Sequence, residues 1–147
     1  MAISVTKADV RPLPQAVTRR YAAASAVDAG DPVRLNTAGR VAVATGNSSV
    51  GSRAIGIAVA DSNGDTASYA TGDVLDVVVF GPVAGYASVD ESKPIYVGGS
   101  SYDFVQTALG TGDVAGSTAY NYIVGRGDSS AGIIFVMPQM SAPTTVS

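Results

Sequence analysis

Carboxylates are the side chains of this sequence that come nearest to a chemical site. Six aspartates stand beside Gly, Ser or Asn in stretches with the composition of turns: Asp31, Asp61, Asp65, Asp73, Asp113 and Asp128. An aspartate in a turn bonds to nearby backbone N–H groups and needs no further partner. We therefore interpret these residues as turn formers and not as general acids, general bases or ligands.

One segment has part of a calcium-binding pattern. Asp61, Asn63 and Asp65 have the spacing of the first three ligands of an EF-hand-like loop. The match then fails, because the sixth position is Thr66 instead of glycine and the twelfth is Gly72 instead of a bidentate glutamate. A hairpin loop accounts for this segment better than a metal site does.

The chain contains no histidine and no cysteine. Histidine general bases, thiolate nucleophiles, His/Cys metal sites and disulfides are therefore excluded. The sequence predicts a protein that is not an enzyme and that uses no cofactor or metal.

The tripeptide Arg126-Gly127-Asp128 matches the motif that integrins bind on adhesion proteins. The segments on either side, AYNYIVGR and AGIIFVMP, are both strand-like, so the residues between them must reverse the chain. Gly127 supplies conformational freedom and Asp128 can bond to the backbone. We predict that the tripeptide begins a hairpin connection and is not an integrin ligand. A surface-displayed adhesin, or a carbohydrate-binding β-module, is the alternative.

Alternating apolar and polar residues, punctuated by turn residues, predict the elements around these side chains. The strand-like segments are DPVRLN, RVAVA, RAIGIAVAD, DVLDVVVFGPV, PIYVG, AYNYIVGR and AGIIFVMP. Thr37-Ala38-Gly39 would link the first two as a hairpin, and the small residues Ala54, Gly56 and Ala58 would let another backbone come close. Residues 74–80 are apolar on both faces, so one face is a candidate interface. The pattern predicts an all-β domain, a small antiparallel β-barrel or sandwich.

The two ends of the chain differ from this middle. Residues 1–20 form an extended N-terminal arm in this interpretation, because Pro12 and Pro14 bar a helix or a central strand. The β-domain would then span residues 21–138, with a C-terminal tail at 139–147 that is frayed or attached to a neighbour. Removal of residues 1–18 should leave such a domain folded. The predicted partner-binding residues of the arm are Arg11, Pro12, Pro14, Arg19 and Arg20, since arginine suits carboxylates on a partner.

Composition limits the classes of partner. The chain has 147 residues, of which 14% are charged, and a formal net charge of −3. It lacks the dense Lys/Arg clusters that neutralise phosphates, so nucleic acid is not a predicted partner. It has neither a signal-peptide pattern nor an apolar run long enough for a membrane helix. Without disulfides, packing and self-association must supply its stability.

The succession of segments resembles a known family. AGDPVRLNTAGRVAVA, AIGIAVAD, TGDVLDVVVFGPVAGY, PIYVGG, YIVGRG and GIIFVMP follow one another as in the head decoration, or capsid cement, proteins of tailed bacteriophages. The similarity covers roughly residues 20–137.

The resemblance implies a β-barrel-like structural protein, usually a homotrimer, that performs no chemistry. Such a protein is made in the bacterial host cytoplasm and sits on the outer surface of the virion capsid. There it binds the major capsid protein at junctions between capsomers and strengthens the mature shell. N-terminal arms in this class commonly reach neighbouring subunits, which is the part that residues 1–20 would play.

Overall fold

β-strands form nearly all of the regular structure in the computed structural model, which describes residues 3–36, 38–62, 65–100 and 103–147. Two short 3-10 helices, Lys7–Asp9 and Thr111–Asp113, accompany the strands. The strands are β1 (Ser4–Val5), β2 (Arg11–Pro12), β3 (Val17–Ala22), β4 (Val27–Asp28), β5 (Pro32–Leu35), β6 (Val41–Val43), β7 (Gly56–Ala58), β8 (Ser68–Tyr69), β9 (Val74–Ala84), β10 (Tyr86–Ala87), β11 (Pro94–Val97), β12 (Phe104–Val105), β13 (Ala119–Asn121), β14 (Ile123–Ser129), β15 (Ile133–Val136) and β16 (Thr144–Val146). The predicted all-β fold class is confirmed. No helix among the described residues is long and apolar enough to cross a membrane.

The long strand β9 organises the main sheet. Its antiparallel neighbours are β7 and β15, within the order β12-β11-β14-β15-β9-β7-β5-β6, and β2 and β3 also pair with it. Val77 and Val78 of β9 are both fully buried, in two different hydrophobic clusters. Both faces of β9 are therefore covered at this point by residues of the same chain. The face that the sequence offered as a candidate interface is filled internally here.

The predicted hairpins and the predicted close approach are confirmed. Strands β5 and β6 pair with Val33 opposite Val43; of the predicted linker, Thr37 lies outside the described residues. A Cβ on Gly56 would come within 2.0 Å of the carbonyl oxygen of Val78, so only glycine lets β7 lie this close to β9. Strands β14 and β15 also form an antiparallel pair.

The N-terminal segment is extended, but its predicted separation from the domain is wrong. β1 pairs with β10, and β2 and β3 pair with β9. Ile3 and Val10 are buried in the core, and the carbonyl of Val10 accepts a hydrogen bond from Ala60 at 3.0 Å. The predicted boundary at residue 20 falls inside β3. The Val- and Tyr-containing stretch Val17–Ala22 forms a strand there because it pairs along β9.

The C-terminal tail is also joined to its own chain. β16 pairs with β13, with Thr145 opposite Tyr120. The prediction that residues 139–147 are frayed or held by a neighbour is therefore wrong for the paired residues. The three residues of β16 are too few for a strand to be recognised from their sequence alone.

The predicted turn role is confirmed for four of the aspartates, Asp31, Asp61, Asp73 and Asp113. Asp61 Oδ1 accepts the Asp65 N–H, Asp73 Oδ2 accepts the Ala70 N–H, and Asp113 Oδ2 accepts the Gly110 N–H, each at 2.8 Å. Asn63, the other residue of the partial calcium pattern, lies outside the described residues. Within the described ranges no cluster of three or more acidic side chains could hold a metal ion.

Candidate partner-docking surface

A row of side chains crosses four neighbouring strands on the outer face of the main sheet. Val17 of β3 lies opposite Phe80 of β9, and Arg126 of β14 lies opposite Phe135 of β15. The rings of Phe80 and Phe135 meet edge to face with their centroids 5.2 Å apart. The guanidinium carbon of Arg126 lies 4.6 Å from the centroid of the Phe135 ring. We call these four residues the aromatic row.

An apolar groove of about 340 Å³ adjoins the aromatic row at Phe80. Its lining includes Ile55, Val79, Phe80, Tyr122, Met137 and Met140. Exposure is high for such apolar side chains: Phe80 is 45%, Met137 47% and Met140 97% exposed, and Val17 of the row is 50% exposed. Exposed apolar side chains grouped in one place are typical of surfaces that bind a partner.

One glutamine fixes the wall of the groove that contains the two methionines. Gln139 exchanges hydrogen bonds with the start of β14: its backbone N–H donates to the Ile123 carbonyl at 2.9 Å, and its Oε1 accepts the Ile123 N–H at 2.6 Å. The Tyr122 hydroxyl donates to the carbonyl of Gln139. The amide Nε2 of Gln139 bonds onward to the carbonyls of Ser141 and Ala142, each at 3.1 Å. The wall is therefore held by polar contacts while its methionine side chains stay free to adapt.

Two exposed arginines accompany this surface. Arg126 is stacked on Phe135, and Arg53 precedes Ala54 of the groove lining. Burial raises the pKa of the Tyr122 hydroxyl, and the positive charge of Arg53 opposes that rise, so Arg53 lies near enough to Tyr122 to act on it. The described residues include no ion pair to Arg53 or Arg126.

The sequence-predicted binding residues do not form one site. Arg11 and Pro12 lie in β2, paired with the last residues of β9, and Pro14 lies in the turn that follows. Arg19 and Arg20 lie in β3, opposite Val77 and Asp76 near the other end of β9.

The two β3 arginines already have contacts within the chain. Arg20 Nε forms an exposed ion pair with Asp76 Oδ1 at 3.1 Å, and the guanidinium of Arg19 lies 5.9 Å from the Tyr21 ring centroid. The N-terminal segment instead contributes Val17 to the aromatic row, a residue that the sequence did not single out.

The Arg-Gly-Asp tripeptide belongs to β14 and not to the connection that follows it. Gly127 pairs with Ile134, Asp128 lies at a β-bulge, and the chain turns after Ser129. The prediction that the tripeptide begins the connection is therefore wrong by a few residues. A Cβ on Gly127 would lie 1.9 Å from the carbonyl oxygen of Asp90, so the glycine is required by a close backbone contact and not by a turn.

Phe135, Met137 and Met140 were missed at the level of sequence, whereas Phe80 belongs to the apolar stretch 74–80 that was offered as a candidate interface. One contact of the row could have been found from the sequence, because pairing AYNYIVGR with AGIIFVMP as a tight hairpin places Arg126 opposite Phe135. The contact between Phe80 and Phe135 could not, because it depends on which distant strand pairs with β15.

A pair of carboxyl groups below the N-terminal segment was also missed. Asp31 Oδ2 accepts the Asp28 N–H at 2.8 Å, as a turn residue would, but its side chain also shares a hydrogen bond with Asp103. Burial, followed by the negative charge of Asp103, raises the pKa of Asp31 to about 7. Lys7 Nζ contacts the neighbouring Asp28 at 2.6 Å. The sequence placed Asp31 in a turn correctly but could not show that the turn is covered.

No protein-family model and no curated protein sequence matches this chain.

Proposed function

We propose that this protein is a structural decoration, or cement, protein of a tailed-bacteriophage head. In this proposal it binds the major capsid protein on the outer surface of the virion at capsomer junctions and stabilises the mature shell. The resemblance in the succession of strand segments supports it. The observation that carries it is the exposed aromatic row with its adjoining apolar groove.

The composition of this surface suits protein binding. Aromatic residues, methionine and arginine are the types enriched where proteins associate, and lysine and glutamate are depleted there. The surface combines Phe80, Phe135, Met137, Met140 and Arg126. Because the row is built on paired strands, its side chains are positioned before a partner arrives, which lowers the entropy lost on binding.

Mechanical reinforcement follows from many copies of such a contact. Each copy that bridges two capsomers adds interface area that must be broken before the shell can separate. Linking several contacts through one oligomer raises the overall binding strength through effective concentration. No catalytic step is part of the proposal.

Self-association as a homotrimer is part of the proposal, and it must use surfaces other than the middle of β9. Val77 and Val78 point into separate clusters of the chain's own core. Contacts between copies therefore involve residues that remain outside after folding.

Co-sedimentation with phage heads tests the proposed function. The purified chain is mixed with mature heads that lack decoration protein, the heads are pelleted, and bound protein is quantified against head protein. We expect saturation at a fixed stoichiometry per capsomer, and little binding to heads that are already decorated. Absence of saturable binding to the undecorated heads would contradict the proposal.

A further inference from the structure

We infer that the groove beside Phe80 receives an extended segment of the major capsid protein that combines apolar side chains with carboxylates. This inference rests on the proposed function and adds the chemistry of the partner. It depends on the juxtaposition of an apolar groove with two exposed arginines, Arg126 on the aromatic row and Arg53 next to Ala54 of the groove lining.

The apolar part of the segment follows from the groove itself. Val79 and Phe80 of β9 and Ile55, just before β7, offer it hydrocarbon surface, and Met137 and Met140 form the adaptable wall. Filling a groove of about 340 Å³ with hydrocarbon removes apolar surface from water on both partners. Methionine side chains can adjust to the branched or aromatic residues that enter.

The acidic part follows from the arginines. Stacking on Phe135 restrains the Arg126 side chain and leaves the edges of its guanidinium free to donate hydrogen bonds. Carboxylates are the protein groups that match this donor geometry, with two parallel N–H···O bonds. Arg53, exposed and adjacent in the chain to Ala54 of the groove lining, offers a second such contact.

The surface around the groove presents positive charge, whereas the chain as a whole is negative. The formal net charge is −3, and the three ion pairs among the described residues use Lys7, Arg20 and Lys93. The two arginines of the groove thus have no acidic partner within the described part of the chain. A partner that brings its own carboxylates would neutralise them and would be attracted over a distance of about 10 Å at roughly 0.1 M salt, and further at lower salt.

Four variants separate the two contributions. Phe80→Ser removes apolar contact, Arg126→Gln and Arg53→Gln each remove one charge, and Arg40→Gln is the matched control in the turn between β5 and β6. All four positions are exposed, so the variants should fold; Phe80→Ser should lower the unfolding midpoint because it removes the packing on Phe135, so midpoints are measured first and binding is compared where every variant is folded.

The assay is binding of each variant to undecorated heads across a series of NaCl concentrations. We expect Arg126→Gln and Arg53→Gln to weaken binding roughly two- to fivefold each and to flatten its salt dependence. Phe80→Ser should weaken binding roughly tenfold or more with the salt dependence unchanged. Arg40→Gln should bind as the wild type does.

Three results would overturn the inference, and they are distinguishable. Wild-type protein that does not bind heads removes the proposed function and this inference together. Wild-type binding that is unaffected by Phe80→Ser and by both groove arginine substitutions leaves the proposed function standing and removes the inference. Dissociation of a wild-type oligomer by Phe80→Ser, seen by sedimentation equilibrium, would show that a second copy of the chain occupies the groove instead.

Discussion

Raising the pH from 4 to 8 should destabilise the folded chain, because Asp31 and Asp103 must then ionise next to each other. Burial is the main cause that raises the pKa of each carboxyl group, and the nearby Asp103 charge raises that of Asp31 further. The N-terminal segment provides part of this burial: a Cβ on Gly30, the residue before Asp31, would lie 2.6 Å from Val5 Cγ2.

The sign follows from the direction of the shift. The pKa of Asp31 is about 7 in the folded chain, against about 3.9 in an unfolded chain. The folded state therefore binds this proton more tightly, and its advantage is complete below about pH 4. It is lost as the pH rises from about 4 to about 7, above which no further change comes from this group.

The expected loss in the free energy of unfolding has an upper limit, and solvent screening reduces it below that limit. Roughly three pKa units at 1.36 kcal/mol each correspond to about 4 kcal/mol. Asp31 keeps partial contact with solvent, so screening reduces this, and we expect a loss of about 1–3 kcal/mol in the free energy of unfolding. Asp28 acts in the opposite direction, because its hydrogen bond to Lys7 lowers its pKa. Its stabilising contribution is present above about pH 4 and is lost only as the pH falls below that value. Lys7 and the fully buried Tyr86, whose pKa is raised, keep their protons throughout this window.

Urea unfolding at a series of pH values, followed by circular dichroism, measures the effect. Asp31→Asn keeps an oxygen to accept the Asp28 N–H and adds a donor for Asp103, so it should remove most of the decline between pH 4 and 7. Asp73→Asn, at an exposed turn whose carboxylate accepts only the Ala70 N–H at 2.8 Å, is the matched control and should leave the decline in place. A wild-type stability that is flat or that rises over this window would refute the reasoning, as would an Asp31→Asn variant with the wild-type profile.

Three further predictions concern the N-terminal segment, the tripeptide and the oligomer. Val10→Ala should lower the free energy of unfolding by about 2 kcal/mol, since Val10 is fully buried, and deletion of residues 1–18 should lower it further; an unchanged urea midpoint for the deletion would restore the separate arm. Asp128→Asn should leave folding and head binding unchanged because Asp128 is exposed, whereas Gly127→Ala should destabilise by about 1–3 kcal/mol because the added methyl meets the Asp90 carbonyl. A selective loss of adhesion to integrin-bearing cells in Asp128→Asn would favour the adhesin instead. Sedimentation equilibrium at micromolar concentration should show a trimer, and a monomer both free and on the head would contradict that part of the proposal.

Much of the strand pattern could be predicted from the sequence because it is local. Alternation in RVAVA and AGIIFVMP marks strands whose side chains point to opposite faces, and the residues between β14 and β15 are too few for anything but a reversal. The turn aspartates follow the same logic, since Asp73 and Asp113 find their hydrogen-bond donors three residues away. Gly56 was predicted as a point of close approach for an equally local reason, its missing side chain.

The candidate site could not be predicted, because its members are distant in the sequence. Val17 meets Phe80 across 63 positions, and Phe80 meets Phe135 across 55. Whether Phe80 is core or surface depends on which strands lie beside β9, and period-two alternation contains no information about that choice. The apolar stretch 74–80 looks uniform in sequence, yet Val77 and Val78 are buried on opposite faces while Val74 and Phe80 are exposed.

Sequence alone determined that this chain forms antiparallel strands joined by Asp- and Gly-containing turns, and that it lacks the side chains of histidine- and cysteine-based chemistry. Both conclusions depend only on residue type and near neighbours. Tertiary structure decided that β2 and β3 pair with β9 in the main sheet instead of extending from it, that Asp31 lies against Asp103, and that an arginine, two phenylalanines and a valine from four strands share one outer face. Each of these depends on long-range strand pairing, which is selected by the free energy of burying both partners together and so is not a property of either segment by itself.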